Sequence, residues 1–123
     1  DGQAGEEIHR LFEEFSYLCD PHTAVASYAC RRYREETGDM TKNVVVSTAS
    51  PYKFPASVLG AVTGEELRAA APEEEFALAQ RLEQLSGAPQ PQSLVRLREK
   101  PVRFTGRCAG EEMEGAVCAF LGL

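Results

Sequence analysis

Only two stretches of this chain are apolar and β-branched enough to read as strands, Val44-Val45-Val46 and Val102-Arg103-Phe104-Thr105, and that shortage limits what it can become alone. The first run is apolar without alternation, as expected of an interior strand covered on both faces of a parallel sheet. The second alternates apolar with polar and suits a sheet edge. A two-stranded pair is marginal in water, and doubly wound sheets have more strands. The expected architecture is therefore α/β, with about six helices around two or so strands of a mainly parallel sheet. That sheet is incomplete on its own, its missing strands belonging to sequence outside this chain.

The helices are signalled by periodicity and punctuation. Ile8, Leu11, Phe12, Phe15 and Leu18 recur at three- and four-residue steps, which predicts an amphipathic helix over 6–18. Asp20 is a natural N-cap and Pro21 a natural first-turn residue for a helix running to Thr37, where Gly38 stops it. A polar turn, Ser47-Thr48-Ala49-Ser50-Pro51, leads into a helix over about 54–62 before Gly64. Strand, turn and helix in that order read as an α/β crossover. Glu73 to Ser86 predicts a further helix with Phe76, Leu78, Leu82 and Leu85 inward and Gly87 as its stop; its acidic start suits the macrodipole. The prolines of 88–91 make a stiff linker near 87–92, followed by a short helix around 93–98 and a closing helix over 111–121. Residues 1–123 are expected to form one unit. The opening Asp1-Gly2-Gln3-Ala4-Gly5, without a methionine, reads as a flexible lead-in and suggests a piece cut from a longer protein.

Composition excludes several classes of function. A formal net charge of -6 over 123 residues argues against a nucleic-acid partner, which calls for Lys and Arg gathered on one surface. No apolar stretch approaches the roughly 20 residues that cross a bilayer, and no secretory signal opens the chain, so no membrane partner and a cytoplasmic location are expected. Cys19, Cys30, Cys108 and Cys118 contain no C-x-x-C pair and are expected to be buried, reduced thiols. Cys19 and His22 have a ligand-like spacing, but no second pair completes four ligands, so no metal site is expected.

Two polar motifs stand at turns before helices: Tyr17-Leu18-Cys19-Asp20-Pro21-His22-Thr23-Ala24-Val25-Ala26 and Val46-Ser47-Thr48-Ala49-Ser50-Pro51-Tyr52-Lys53-Phe54-Pro55. Thr48 falls where a buried strand would end, the edge at which open α/β sheets collect ligands. By pattern alone, Ser47, Thr48 and Ser50 could equally bond local backbone or cap the next helix. His22 sits just inside a helix beside Asp20, which could hold its imidazole for general acid or base work, or it could be a packing histidine near a cap. His9, among acidic neighbours, reads as a solvated residue. Lys53 reads either as a helix-start lysine covering apolar surface with its stem or as an anion contact.

The order, separation and wording of these motifs resemble the C-terminal region of threonine synthases, whose turns read D/E-P-H-x-A-V-A and then T-A-H/S-P-x-K-F. The likeness continues more loosely through Lys100-Pro101-Val102-Arg103-Phe104. Some members carry His at Ser50 and Ala at Tyr52, departures that leave Thr48, Lys53 and Phe54 in place. The resemblance implies a fold type II pyridoxal-phosphate (PLP) enzyme converting O-phospho-L-homoserine and water into L-threonine and phosphate. It implies that Thr48 meets the pyridine nitrogen of PLP, with Ser47, Ser50 and Lys53 as further candidates for cofactor contact and His22 as a weak catalytic candidate.

PLP chemistry needs an anchoring lysine and a cradle of backbone amides for the cofactor phosphate. The family's anchoring lysine lies upstream in a different sequence context from Lys53, and no glycine-rich run follows a strand here. The chain alone is thus expected to be inactive and to bind no cofactor, and its uncovered surface is expected to self-associate. Two alternatives stand beside this reading: a piece of another PLP lyase such as a serine or threonine dehydratase, and a free-standing α/β interaction or regulatory domain.

Overall fold

A computed structural model describes residues 2–123. Six α-helices appear in the order α1 (Gly2–Phe15), α2 (Pro21–Thr37), α3 (Pro55–Thr63), α4 (Pro72–Ser86), α5 (Gln92–Val95) and α6 (Met113–Leu121). Short 3-10 turns at Pro51–Lys53, Arg96–Glu99 and Gly110–Glu112 precede α3, follow α5 and precede α6. The punctuation explains the boundaries. Asp20 caps α2 by accepting from the backbone N–H groups of His22 and Thr23, with Pro21 in the first turn. Gly38, Gly64, Gly87 and Gly122 end α2, α3, α4 and α6 in the left-handed conformation, where a side chain is strained.

Helices α1, α2, α3 and α4 enclose the core. Helix α1 packs on both α2 and α3, and α3 packs on α4. Ile8, Cys19, Ala24, Val58, Leu59, Ala79 and Leu82 are almost wholly buried there, with Tyr52 and Val62 at the edge. Tyr52 donates its hydroxyl proton to the Ala88 carbonyl and lies 3.4 Å from Ser86 Oγ, so the turn before α3 is fastened to the end of α4. The proline linker is held in turn by Glu83, which accepts from the Gln90 backbone at 3.2 Å and from its amide at 2.7 Å. Beyond residue 100 every residue but the half-buried Cys118 is exposed, so α6 contributes nothing to this core.

Several expectations need correction. No strand occurs among the described residues. Val44-Val45-Val46 and Val102-Arg103-Phe104-Thr105 are irregular, because a strand exists only through hydrogen bonds to a neighbour and neither stretch has one. Nor is the first covered on both faces, since Val44 is 83% and Val46 72% exposed. The α/β crossover is thus absent from this unit, which is helical. The glycine-bearing opening is helical from Gly2 rather than a flexible lead-in, because Gly5 and Ala4 are small enough to let α1 lie against α3. Helix α1 stops at Phe15 and not Leu18: Ser16 turns into the left-handed region at φ 51°, which leaves Phe15 exposed while Leu18 still reaches the core after the break. In α4, Leu82 and Ala79 are buried and Phe76 and Leu78 half-buried, whereas Leu85 faces solvent. All four cysteines are free, but only Cys19 is buried; Cys108 is exposed on the segment outside the core.

Candidate functional site

The two motifs singled out in the sequence meet at the start of α2. Asp20, fully buried, is the residue on which they converge. Its Oδ1 accepts from His22 N at 3.0 Å and Thr23 N at 3.4 Å and lies 3.0 Å from His22 Nδ1. Its Oδ2 accepts the Thr23 hydroxyl and lies 3.5 Å from Ser47 Oγ, 27 residues along the chain. Thr23 Oγ1 and Ser47 Oγ are 3.1 Å apart. The Thr23 hydroxyl faces two acceptors, the carboxylate and Ser47 Oγ, while the Ser47 hydroxyl is directed at Asp20 Oδ2 and the Ala49 carbonyl. Thr23 and Ser47 thus meet each other and the same carboxylate oxygen of Asp20.

This network explains how a carboxylate stays ionised without a buried cation. Burial alone pushes the Asp20 carboxyl up, but the hydrogen bonds from the Thr23 and His22 side chains and their backbone N–H groups outweigh it and hold it below its usual value. Burial instead raises the neighbouring Cys19 thiol to about 11, with the Asp20 charge adding to the effect, which makes it an unreactive packing group.

The other sequence-derived candidates are placed as follows. Thr48 is exposed, and its hydroxyl makes no hydrogen bond among the described residues. Ser47 reaches back to Thr23 and Asp20 and lies 3.5 Å from the Ala49 carbonyl. Ser50 accepts from the Tyr52 backbone N–H at 3.3 Å and caps the 3-10 turn, a local structural task. Lys53 is exposed and borders a different hollow, between the turn and α4 and α5, with Glu75, Phe76 and Leu94. His22 keeps 65% of its side chain exposed, with its ring 5.1 Å from that of Phe54 in the second motif. Among the described residues no group of three His, Cys, Asp or Glu side chains could hold a metal.

Thr23 escaped the sequence reading as a functional position. An Asp N-cap followed three residues later by Thr is a legible signal, because that side chain folds back on the cap. The tie to Ser47 had no such signal, since it joins residues far apart in sequence.

The site suits part of the requirement for PLP. A pyridine nitrogen that is not to be held protonated wants a neutral hydroxyl rather than a carboxylate, and Thr48 offers one that is exposed and not committed elsewhere. Fold and site together define a helical unit that presents a hydroxyl-bearing turn, steadied on a buried carboxylate. The family model described as threonine synthase, C-terminal, matches residues 23–107, from Thr23 inside the first motif through the whole of the second. That is more than half of the chain, and the chain belongs to this family.

Proposed function

We propose that this chain is the C-terminal part of a threonine synthase, a cytoplasmic enzyme that converts O-phospho-L-homoserine and water into L-threonine and inorganic phosphate with PLP. The observation that carries the reading is the family match across 23–107, which includes the whole turn bearing Thr48. No helix among the described residues is long and apolar enough to cross a membrane, in keeping with it.

PLP supplies the electron sink for eliminating phosphate and adding water. Thr48 would hold the cofactor ring through its hydroxyl at the pyridine nitrogen, leaving that nitrogen without the proton a carboxylate would keep there. Ser47 would act behind Thr48 and not on the ring, because its hydroxyl is turned inward to Thr23 and Asp20. The anchoring lysine and the phosphate cradle would come from another part of the polypeptide. The irregular Val44–Val46 segment, exposed here, would then become an interior strand of the parallel sheet on joining that part.

The test is an assay of the full-length protein with PLP and O-phospho-L-homoserine. Threonine and phosphate should appear in equal amounts, and Thr48→Ala should lower kcat by about tenfold, the worth of one neutral hydrogen bond of ~1.4 kcal/mol, while altering the cofactor's absorption spectrum. Ammonia and an oxo acid released from L-serine or L-threonine, with no phosphate from the phosphorylated substrate, would move the assignment to a dehydratase.

A further inference from the structure

We propose that Asp20, Thr23 and Ser47 are positioning residues for Thr48, forming a hydrogen-bonded cluster that holds the Thr48 turn against the start of α2 and so fixes where its hydroxyl is presented. The inference rests on the reading that Thr48 meets the cofactor ring.

The two carboxylate oxygens of Asp20 have separate tasks. Oδ1 meets the backbone N–H groups of His22 and Thr23, which is all that an N-cap requires. Oδ2 takes no part in capping; its neighbours are the hydroxyls of Thr23 and Ser47. A cap alone would not need Asp20 to be fully buried, nor Thr23 to be buried with it. A buried, ionised carboxylate can only accept, so both hydroxyls turn toward it and Thr23 and Ser47 are held against the same oxygen.

The surrounding chain gives this tether its purpose. Residues 38–50 form no helix or strand, and residues 40–48 are exposed throughout. Asn43 is held upstream through Cys30 Sγ at 2.9 Å, and Ser50 is held downstream through its cap on the 3-10 turn. Between those two points Ser47 makes the side-chain hydrogen bonds that reach the helical body. Thr48 is the next residue, one Cα step of about 3.8 Å away. Pinning Ser47 therefore limits the travel of a hydroxyl that has no hydrogen bond of its own. The two motifs read separately in the sequence thus operate as one unit: the first carries the anchor and the second carries the group it positions.

The test uses the full-length enzyme and measures PLP affinity by fluorescence titration, alongside hydrogen exchange of the 45–50 amides. Thr23→Val keeps the shape of the side chain and removes its hydroxyl. It should weaken PLP binding about three- to tenfold and speed exchange across 45–50, with Thr23→Ser restoring both. Ser47→Ala, at an exposed position, should weaken PLP binding to a similar extent and serves if Thr23→Val fails to fold. In a Thr48→Ala background neither substitution should weaken PLP binding further, because the cluster acts only through Thr48. Equal losses in both backgrounds, or none in either, would overturn the positioning role while leaving the enzyme assignment intact. If Thr48→Ala itself leaves PLP binding and absorbance unchanged, the placement of Thr48 at the ring falls, and the positioning role falls with it.

Discussion

Glu7 is the second buried carboxylate described, 1% exposed in a helix whose apolar face is otherwise easy to read. It accepts from Arg10 within α1 at 2.6 Å and 3.1 Å, from Ser27 of α2 at 2.8 Å and from Arg31 of α2 at 3.1 Å and 3.2 Å. The Arg10 hydrogen bonds hold its carboxyl down to about 2; burial opposes them, and Ser27 and Arg31 add to them. The folded value thus lies below the unfolded one of 4.5, so the stabilisation is complete above about pH 4.5 and is lost as pH falls from there toward about 2. Glu7→Gln should cost about 2 kcal/mol at pH 7, less than a fully buried pair would because both arginines keep some contact with water. Urea unfolding of the two proteins should show that gap narrowing below pH 4.5, and a gap independent of pH would refute the account. The pair Glu7 and Arg10 is visible as an i, i+3 spacing, but nothing local distinguishes it from an exposed surface pair. Arg31 and Ser27 make it a buried link, and they lie 20 or more residues away.

At the level of elements, the sequence is most legible where one residue type has a single local use. Asp20 with Pro21, and Gly38, Gly64 and Gly87, mark helix ends that the structure reproduces. It is least legible where only the tertiary surroundings decide whether a glycine is needed. Gly5 and Gly60 lie in α1 and α3, where glycine would ordinarily weaken a helix. A Cβ on Gly5 would meet the Ala61 Cβ at 3.9 Å, an ordinary contact, whereas a Cβ on Gly60 would come within 2.7 Å of the Glu65 carbonyl oxygen. The same substitution should therefore act with opposite signs. Gly5→Ala should stabilise by up to ~1 kcal/mol through helix propensity. Gly60→Ala should destabilise by about 1–3 kcal/mol, because the backbone after α3 has to move away. Thermal unfolding of the two variants checks both, and a stabilised Gly60→Ala would show that Glu65 does not close over α3. The candidate site divides in the same way: its cap was legible at Asp20, and its tie between Thr23 and Ser47 was not, because the contact depends on how the 38–50 segment folds back.

Across the whole molecule, the shortage of strand-forming sequence and the exposure of apolar side chains have one cause. Val44 and Val46 before the Thr48 turn, Val102 and Phe104 beyond the short helices, and Phe120 and Leu123 at the far end are each more than 70% exposed. Isolated apolar residues on a surface are ordinary, but here they fall on the two stretches with strand character and on, or just after, a helix that packs against nothing in the core. Strand-like residues without a partner leave backbone N–H and C=O groups open to pairing with another copy, and an uncovered apolar helix face adds to the attraction. The net charge of -6 opposes this only over the distance that salt allows. The chain by itself is therefore predicted to associate with further copies as concentration rises and to bind an apolar dye such as ANS, more so at 0.5 M salt than at low salt. Replacing Val44 and Val46 with lysine should reduce both effects without lowering the unfolding temperature, since neither side chain is buried in the helical core. Size-exclusion chromatography over a range of concentrations, with dye binding measured on the same fractions, decides the matter. A stable monomer with little dye bound would mean that these faces need no cover, and would favour a self-sufficient interaction domain over a piece of a larger sheet.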